Sequence, residues 1–395
     1  MPNDILLNKL LLPELRYVRT WFTGWSSTFH LEVQKVSDFE VCPRCATPSR
    51  SVYDHRTVQV KDSPVRDRHV TLHVRKRRFA CRNCHKPFTE PVPGVRKGAR
   101  CTERYCRSLL WACEHFSDLK AVREAYRCSS AFLYATLYRH LELERRKRLN
   151  PWPKTVGIDE HFFRRNPVFG VRDFVSVIVD FKARRLMEVV EGRTNAELQL
   201  ALGYVPGREN VRWVVLDLCD PFKKFARDFF PNASIVADKF HVLRLLSPSI
   251  NRRRKDITGD RRSLPVRRLL LRNGRDLTAA QSWALRTWLA RYPELRELYE
   301  YKEALHILYR IRGPERASQA LTSLTDRMAG STLPEIKTLR GTLMKWRHEV
   351  LAYFVCRLTN GPTEGFNNKA KLVKRRGYGY RSFRNYRLRL LNACA

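Results

Sequence analysis

The chain has 395 residues, with 76 lysines and arginines against 39 acidic residues, a formal net charge of +37. A protein so basic repels itself unless it meets phosphates, so the balance points to a polyanionic partner. The basic residues are spread over the whole chain and no 18-residue apolar run occurs, which argues against a membrane-surface or membrane-spanning protein.

Residues 1–30 read as a leading arm or helix with Leu and Trp anchors, and MPNDILLNKLLLPELRYV lacks the basic region and clean apolar stretch of a secretory signal. Eleven cysteines, unevenly spaced, do not make a disulfide scaffold; they suggest a reducing, cytoplasmic compartment and a local metal site. Residues 31–97 form the first compact unit, with LEVQKV, RHVTLHVRKRRFA and KPFTEP as short strands. Two CxxC pairs, Cys42/Cys45 and Cys81/Cys84, stand 35 residues apart. A CxxC turn brings two thiolates to one tetrahedral Zn²⁺, and a second pair closes the set, so a zinc ribbon is expected. A closed Cys₄ site leaves no open position, so this zinc is structural. Arg50, Arg56, Arg75, Lys76, Arg77 and Arg78 around it are candidate phosphate contacts.

Residues 98–148 turn helical, with apolar groups three and four apart. Ser117 and Asp118 are candidate caps of the first helix of a short pair, Cys128-Ser129-Ser130 its turn, and Ala131 to Leu141 its second helix, a helix-turn-helix-like spacing. LNPWPKT is a Pro-rich boundary. From 149 to 245 the pattern is TVGID, FVSVIVD and RRLMEVVEG as strands, a helix from Asn195 to Leu202, the strand VRWVVLD, the helix DPFKKFARDFF and the strand ASIVAD. That order predicts an α/β unit with a mixed sheet. Residues 246–355 read as all helical and basic, and 356–395 close the chain with TNGPTEGFNNKAKLVKRRGYGYRSFRNYRLRLL.

Asp159 and Asp217 each end an apolar, β-branched run, and Glu364 opens a polar, basic helix entered through Gly361-Pro362, with Thr363 as its cap. Two strand-end carboxylates on neighbouring strands repel one another, and a divalent cation relieves the repulsion. Glu364 would complete a set able to hold two metals for phosphodiester chemistry. Glu160, Asp173, Asp180 and Asp220 compete for these roles, although alternation turns Glu160 away from Asp159. Asp238 and His241, three apart after a further strand, could share one helical turn at the same sheet edge.

At these residues the sequence resembles the ISL3 family of bacterial insertion-sequence transposases. The matching pieces are CPRC and CRNC, RKRRFACRNCHKPFTE, VGIDEHFF, PNASIVADKFHVLR and NGPTEGFNNKAKLVKRRGYGYRSFRNYRLRLL, in the family's order from about residue 30 to 392. The resemblance implies an RNase H-like DDE/D core with an all-helical insertion, preceded by the ribbon and the helix-turn-helix-like unit. It makes Asp159 the first acid, Asp217 the second and Glu364 the last, with Asp238 and His241 as an accompanying D-x-x-H element. Asp238 is the alternative second acid; Asp217 is preferred because it ends the strand before the intervening helix. The implied cofactor is Mg²⁺, with Mn²⁺ as a substitute. The implied partners are double-stranded DNA, as the element's terminal inverted repeats and the target, and a second copy of the chain on that DNA. A tyrosine recombinase using Tyr378, Tyr380 or Tyr386, and a non-catalytic zinc-ribbon DNA-binding regulator, are the alternatives.

Overall fold

The computed structural model describes residues 11–22, 28–65, 68–116, 118–148, 150–165, 172–259 and 265–394. The chain divides into two compact units, Met1–Glu142 and Leu143–Ala395. Among the described residues no helix is long and apolar enough to cross a membrane.

The first unit is built on strands β1 (Leu15–Phe22), β2 (Thr28–Lys35), β3 (Glu40–Val41), β4 (Pro48–Ser49), β5 (Val52–Val65), β6 (Arg68–Ala80) and β7 (Pro87–Thr89). The main sheet runs β1-β2-β6-β5, with β7 added along β6 and β3 and β4 forming a separate pair. Where an arm or helix was expected, Leu15–Phe22 is a strand paired antiparallel with β2; residues 1–10 lie outside the described residues. Alternation in β6 turns Val70, Leu72 and Val74 inward, against Leu31, Val33 and Val60. Strand β5 had no clear sequence signature because most of its residues are exposed. Helices Glu103–His115, Leu119–Ala125 and Ser130–Lys147 follow. Asp118 caps the second, its side chain accepting the Ala121 N–H at 2.8 Å, as the sequence suggested; Ser117 lies outside the described residues.

In the second unit, β8 (Thr155–Arg165), β9 (Arg172–Asp180), β10 (Arg185–Glu191), β11 (Trp213–Leu216) and β12 (Ser234–Ala237) form one sheet in the order β10-β9-β8-β11-β12. β9 lies antiparallel to both β8 and β10, whereas β8, β11 and β12 run parallel to one another. The result is the mixed sheet read from the sequence. Both faces are covered, which explains why β9 reads as an unbroken apolar run. Ile158, Ile178, Val214 and Leu216 pack with Leu198 and Leu202 of helix Asn195–Leu202 and with Phe222 and Phe225 of helix Asp220–Phe229. Val175, Val177 and Val179 pack with Phe366, Ala370, Tyr386 and Leu390, from helices Gly361–Arg376 and Phe383–Ala393.

Between β12 and Gly361 the chain is helical, as expected, over Ser247–Thr258, Pro265–Leu271, Ala279–Leu289, Pro293–Leu308, Pro314–Ala329, Pro334–Lys345 and Arg347–Cys356. Four of these open on proline, whose missing N–H costs nothing in a first turn. Buried Leu321, Leu324 and Met328, and Ile336, Leu339 and Leu343, sit at helical spacing and join the core that reaches the sheet.

Candidate active site

Register builds the site. Ile158, Leu216 and Ala237 lie side by side across β8, β11 and β12. The next residue of each strand is an aspartate, so Asp159, Asp217 and Asp238 form one row. Asp159 is not at a strand end as the sequence suggested. β8 continues to Arg165, paired with β9, and Asp159 stands where β11 stops.

Asp159 is buried, at 8 % exposure. Its Oδ1 accepts the Glu160 N–H at 2.7 Å and its Oδ2 accepts Asn367 Nδ2 at 2.7 Å. Burial, then the neighbouring charge of Asp217 and a hydrogen bond to it, push the Asp159 carboxyl up to about 8. A carboxyl raised by burial and by a second carboxylate beside it is one whose ionised form a cation would favour.

Asp238 serves differently. It caps helix Lys239–Leu243, its Oδ2 accepting the Phe240 and His241 N–H groups at 3.1 and 3.3 Å, while its Oδ1 accepts the Asn360 N–H at 2.8 Å. His241 Nδ1 lies 2.9 Å from Asp217 Oδ1 and 3.1 Å from Asp238 Oδ2. Hydrogen bonds to Asp217 and Asp238 outweigh burial and raise the imidazole to about 10, so it is charged at neutral pH. Burial alone would raise Asp238, but the His241 and Asn360 hydrogen bonds prevail and hold it below the usual carboxylate range. Asp217, Asp238 and His241 are close enough to coordinate one ion. Without an ion, the imidazolium Nδ1–H is shared by both carboxylates. The three form an ion pair, and both Asp238 oxygens are taken by N–H donors.

Glu364 stands exposed in the first turn of helix Gly361–Arg376, its carboxylate without a hydrogen bond or ion pair to any described residue. Contacts do not bring it into the aspartate row. Its helical neighbours are there: Asn360, four residues before it, reaches Asp217 Oδ1 and the Ile158 carbonyl, both at 3.4 Å, and Asn367, three after it, holds Asp159. Thr363 is not the cap that was expected. The helix begins earlier, after Asn360, with Pro362 in its first turn, and Thr363 is fully buried. Its hydroxyl sits over Gly157, where any Cβ would collide with it and with the Phe181 ring.

The competing acids have other partners. Glu160 pairs with Arg193 at 3.2 Å, Asp173 with Arg164 at 3.1 Å, and Asp220 with Lys345 at 2.5 Å, while Asp180 accepts the Ala183 N–H at 3.0 Å. Tyr386 is fully buried beneath Phe163, which removes it from reach of a phosphodiester. Asn360, Asn367 and His161 were missed. The two asparagines lie inside TNGPTEGFNNK, whose only assigned carboxylate was Glu364, and a lone His two residues after Asp159 carried no signal by itself.

In the first unit the four cysteine sulfurs lie within 4.8 Å of one another, with Cys42–Cys84 at 3.7 Å and Cys45–Cys81 at 3.5 Å. Four sulfurs about 2.3 Å from a tetrahedral Zn²⁺ stand roughly 3.8 Å apart, so the set fits zinc. The two knuckles share a turn: Ala46 and His85, each four residues after its first cysteine, have φ of 57° and 52°. Of the basic residues around the ribbon, Arg77 is committed to the fold, donating to buried Glu90 at 2.8 Å and to the Ser37 carbonyl at 2.5 Å. Arg78 pairs with Asp54 at 2.8 Å.

Two family models and several known proteins resemble the chain. The ISL3 DDE family model, described as a transposase, matches residues 156–390. A second model, the zinc-finger of transposase IS204/IS1001/IS1096/IS1165, matches residues 38–84. The transposase for insertion sequence element IS1001 of Bordetella parapertussis is 25 % identical over 377 residues, covering 91 % of this chain and 90 % of that protein. The transposase for IS1557 of Mycobacterium tuberculosis is 26 % identical over 340 residues, covering 76 % of this chain and 74 % of its own. The chain belongs to the ISL3 family of insertion-sequence transposases.

Proposed function

We propose that the chain cleaves the 3′ ends of its insertion sequence and joins them to target DNA on an RNase H-like core, with Asp159, Asp217 and Glu364 holding Mg²⁺ or Mn²⁺. The observation that carries this is the row of aspartates at the edge of a sheet ordered β10-β9-β8-β11-β12. Within it, burial and Asp217 hold the Asp159 carboxyl up at about 8. His241 gives Asp217 and Asp238 a positive charge; Asp159 lacks one, and a divalent cation supplies it. Bound metal would activate the attacking oxygen and stabilise the leaving 3′ oxygen. Asp217 is the second ligand, since only its Oδ1 is engaged by His241 and Asn360, whereas both Asp238 oxygens accept N–H groups. Asp238 orients His241, whose Nε2 meets the scissile phosphate or a water. Glu364 enters from the helix whose Asn360 and Asn367 already touch the row.

The zinc ribbon and the helices over 103–147 recognise the terminal inverted repeats, and arginines and lysines elsewhere hold the backbone with a steep salt dependence. Joining two ends calls for two chains, in a symmetric pair. The test is cleavage of a duplex carrying the element's own end. D159N should bind it in gel shifts and not cut it. D217C should lose Mg²⁺ activity and regain part of it with Mn²⁺, which tolerates sulfur better, while D238C should show little rescue. Cleavage by D159N at the wild-type rate overturns the catalytic reading; rescue of D238C but not D217C exchanges the roles of the two aspartates.

A further inference from the structure

His161 follows Asp159 by two residues on β8, so alternation puts both on one face of the sheet. On that face a chain of side chains runs away from the carboxylate. Asn367 Nδ2 donates to Asp159 Oδ2 at 2.7 Å; Asn367 Oδ1 lies 3.1 Å from His161 Nδ1; His161 Nε2 lies 2.6 Å from the Tyr386 hydroxyl. All three residues are buried. The chemistry leaves one assignment. In the ionised form that would hold a metal the Asp159 carboxylate only accepts, so Asn367 presents its amide N–H₂ to it and its carbonyl to His161. That carbonyl only accepts, so Nδ1 carries the hydrogen, and Nε2 accepts a hydrogen bond from the Tyr386 hydroxyl. Donation therefore runs one way, from Tyr386 to Asp159. Reversing the Asn367 amide would set its oxygen against the carboxylate and its N–H₂ against an N–H.

We infer that Asn367, His161 and Tyr386 are positioning residues that fix the rotation of the Asp159 carboxylate for its metal. This rests on Asp159 being a metal ligand, as proposed above. The chain ties the first acid on β8 to both helices that cover this face: Asn367 from Gly361–Arg376, which also carries Glu364, and Tyr386 from Phe383–Ala393. The apolar cluster around Tyr386 gives the chain a rigid end.

The test uses the full-length, zinc-loaded chain without DNA, with Mn²⁺ binding followed by the paramagnetic signal of the free ion. N367A and H161L should weaken Mn²⁺ binding about 10–100-fold. H161N, whose amide can place an N–H where Nδ1 donates, should recover most of that loss. Y386F keeps the ring in its apolar cluster, removes only the donor, and should give a smaller loss in the same direction. Thermal melting, zinc content and gel shifts should stay near wild type in N367A and Y386F, which separates positioning from unfolding. Wild-type Mn²⁺ binding by N367A and Y386F, beside a D159N chain that binds it poorly, would overturn the inference and leave the catalytic reading standing. Wild-type Mn²⁺ binding by D159N would overturn the reading on which it rests.

Discussion

Glu188→Gln should destabilise the second unit by roughly 3 kcal/mol without touching the aspartate row. Glu188 lies on β10 with its side chain 4 % exposed. Its Oε1 accepts from Arg387 Nε at 2.7 Å and from the Val189 N–H at 2.8 Å. Its Oε2 accepts from the Tyr204 hydroxyl at 2.6 Å, from Arg145 at 3.1 Å and from a second Arg387 nitrogen. Glutamine keeps the volume, removes the charge from two guanidiniums and points an N–H₂ at donors. Stranding one partner of a buried pair costs about 3–5 kcal/mol. The lower end applies because Arg145 and Arg387 stay 22 % and 20 % exposed and recover some hydration. In a unit of this size that shifts the midpoint of thermal unfolding by about 6–12 °C. The pH dependence has a fixed sign. Burial alone would raise Glu188, but Arg387, Tyr204 and the Val189 N–H outweigh it, so its folded pKa lies below the ordinary 4.5. Its contribution is therefore present above that value and lost as pH falls through the folded pKa. Melting of wild type and E188Q from neutral pH down into acid should show a full gap at neutral pH that narrows as pH falls below the ordinary 4.5. A gap under about 0.5 kcal/mol at neutral pH, or one that persists unchanged in acid, would refute the reasoning.

Cys45→Ser or Cys84→Ser should reduce bound zinc from about one per chain towards none and unfold the ribbon, since such sites contribute on the order of 10 kcal/mol; elemental analysis with limited proteolysis reads both. Gly157→Ala should cost about 1–3 kcal/mol by overpacking against Thr363 and Phe181, and should depress DNA cleavage by displacing the helix that carries Glu364. Thr363→Ala alone should be close to neutral, because its hydroxyl has no hydrogen-bond partner among the described residues, and combined with Gly157→Ala it should recover part of the loss; melting curves of the four proteins measure the coupling.

Much of the catalytic unit was legible because buried strands write themselves as apolar runs and each run stops at an aspartate. VGID, VVLD and IVAD name three strands and the row of carboxylates at once; only the register, which makes them neighbours, had to come from the fold. The CxxC pairs were equally direct, because spacing alone limits what four thiolates can do. The rest was hidden by distance or by exposure. Asp159 lies in mid-strand because β8 outruns β11, a length difference invisible in β8 itself. The bonds of His161 to Asn367 and Tyr386 span 206 and 225 residues, and no local pattern marks such partners. Thr363 looked like a cap because it follows Gly-Pro; packing against a strand glycine turned it inward instead. β5 escaped because its outward-facing residues are too polar to show an inner face.

The separation of Asp217 from Glu364 by 146 residues of mostly helical chain sets a timetable. At synthesis rates of about 5–20 residues per second, Glu364 leaves the ribosome roughly 7–30 s after Asp217. Through that interval the zinc knuckles and the helices over 103–147 are already complete. The proposed site therefore cannot be assembled until well after the parts proposed to recognise DNA have been made. A topology that interrupts the core with an insertion becomes a delay line between the making of the second acid and of the last.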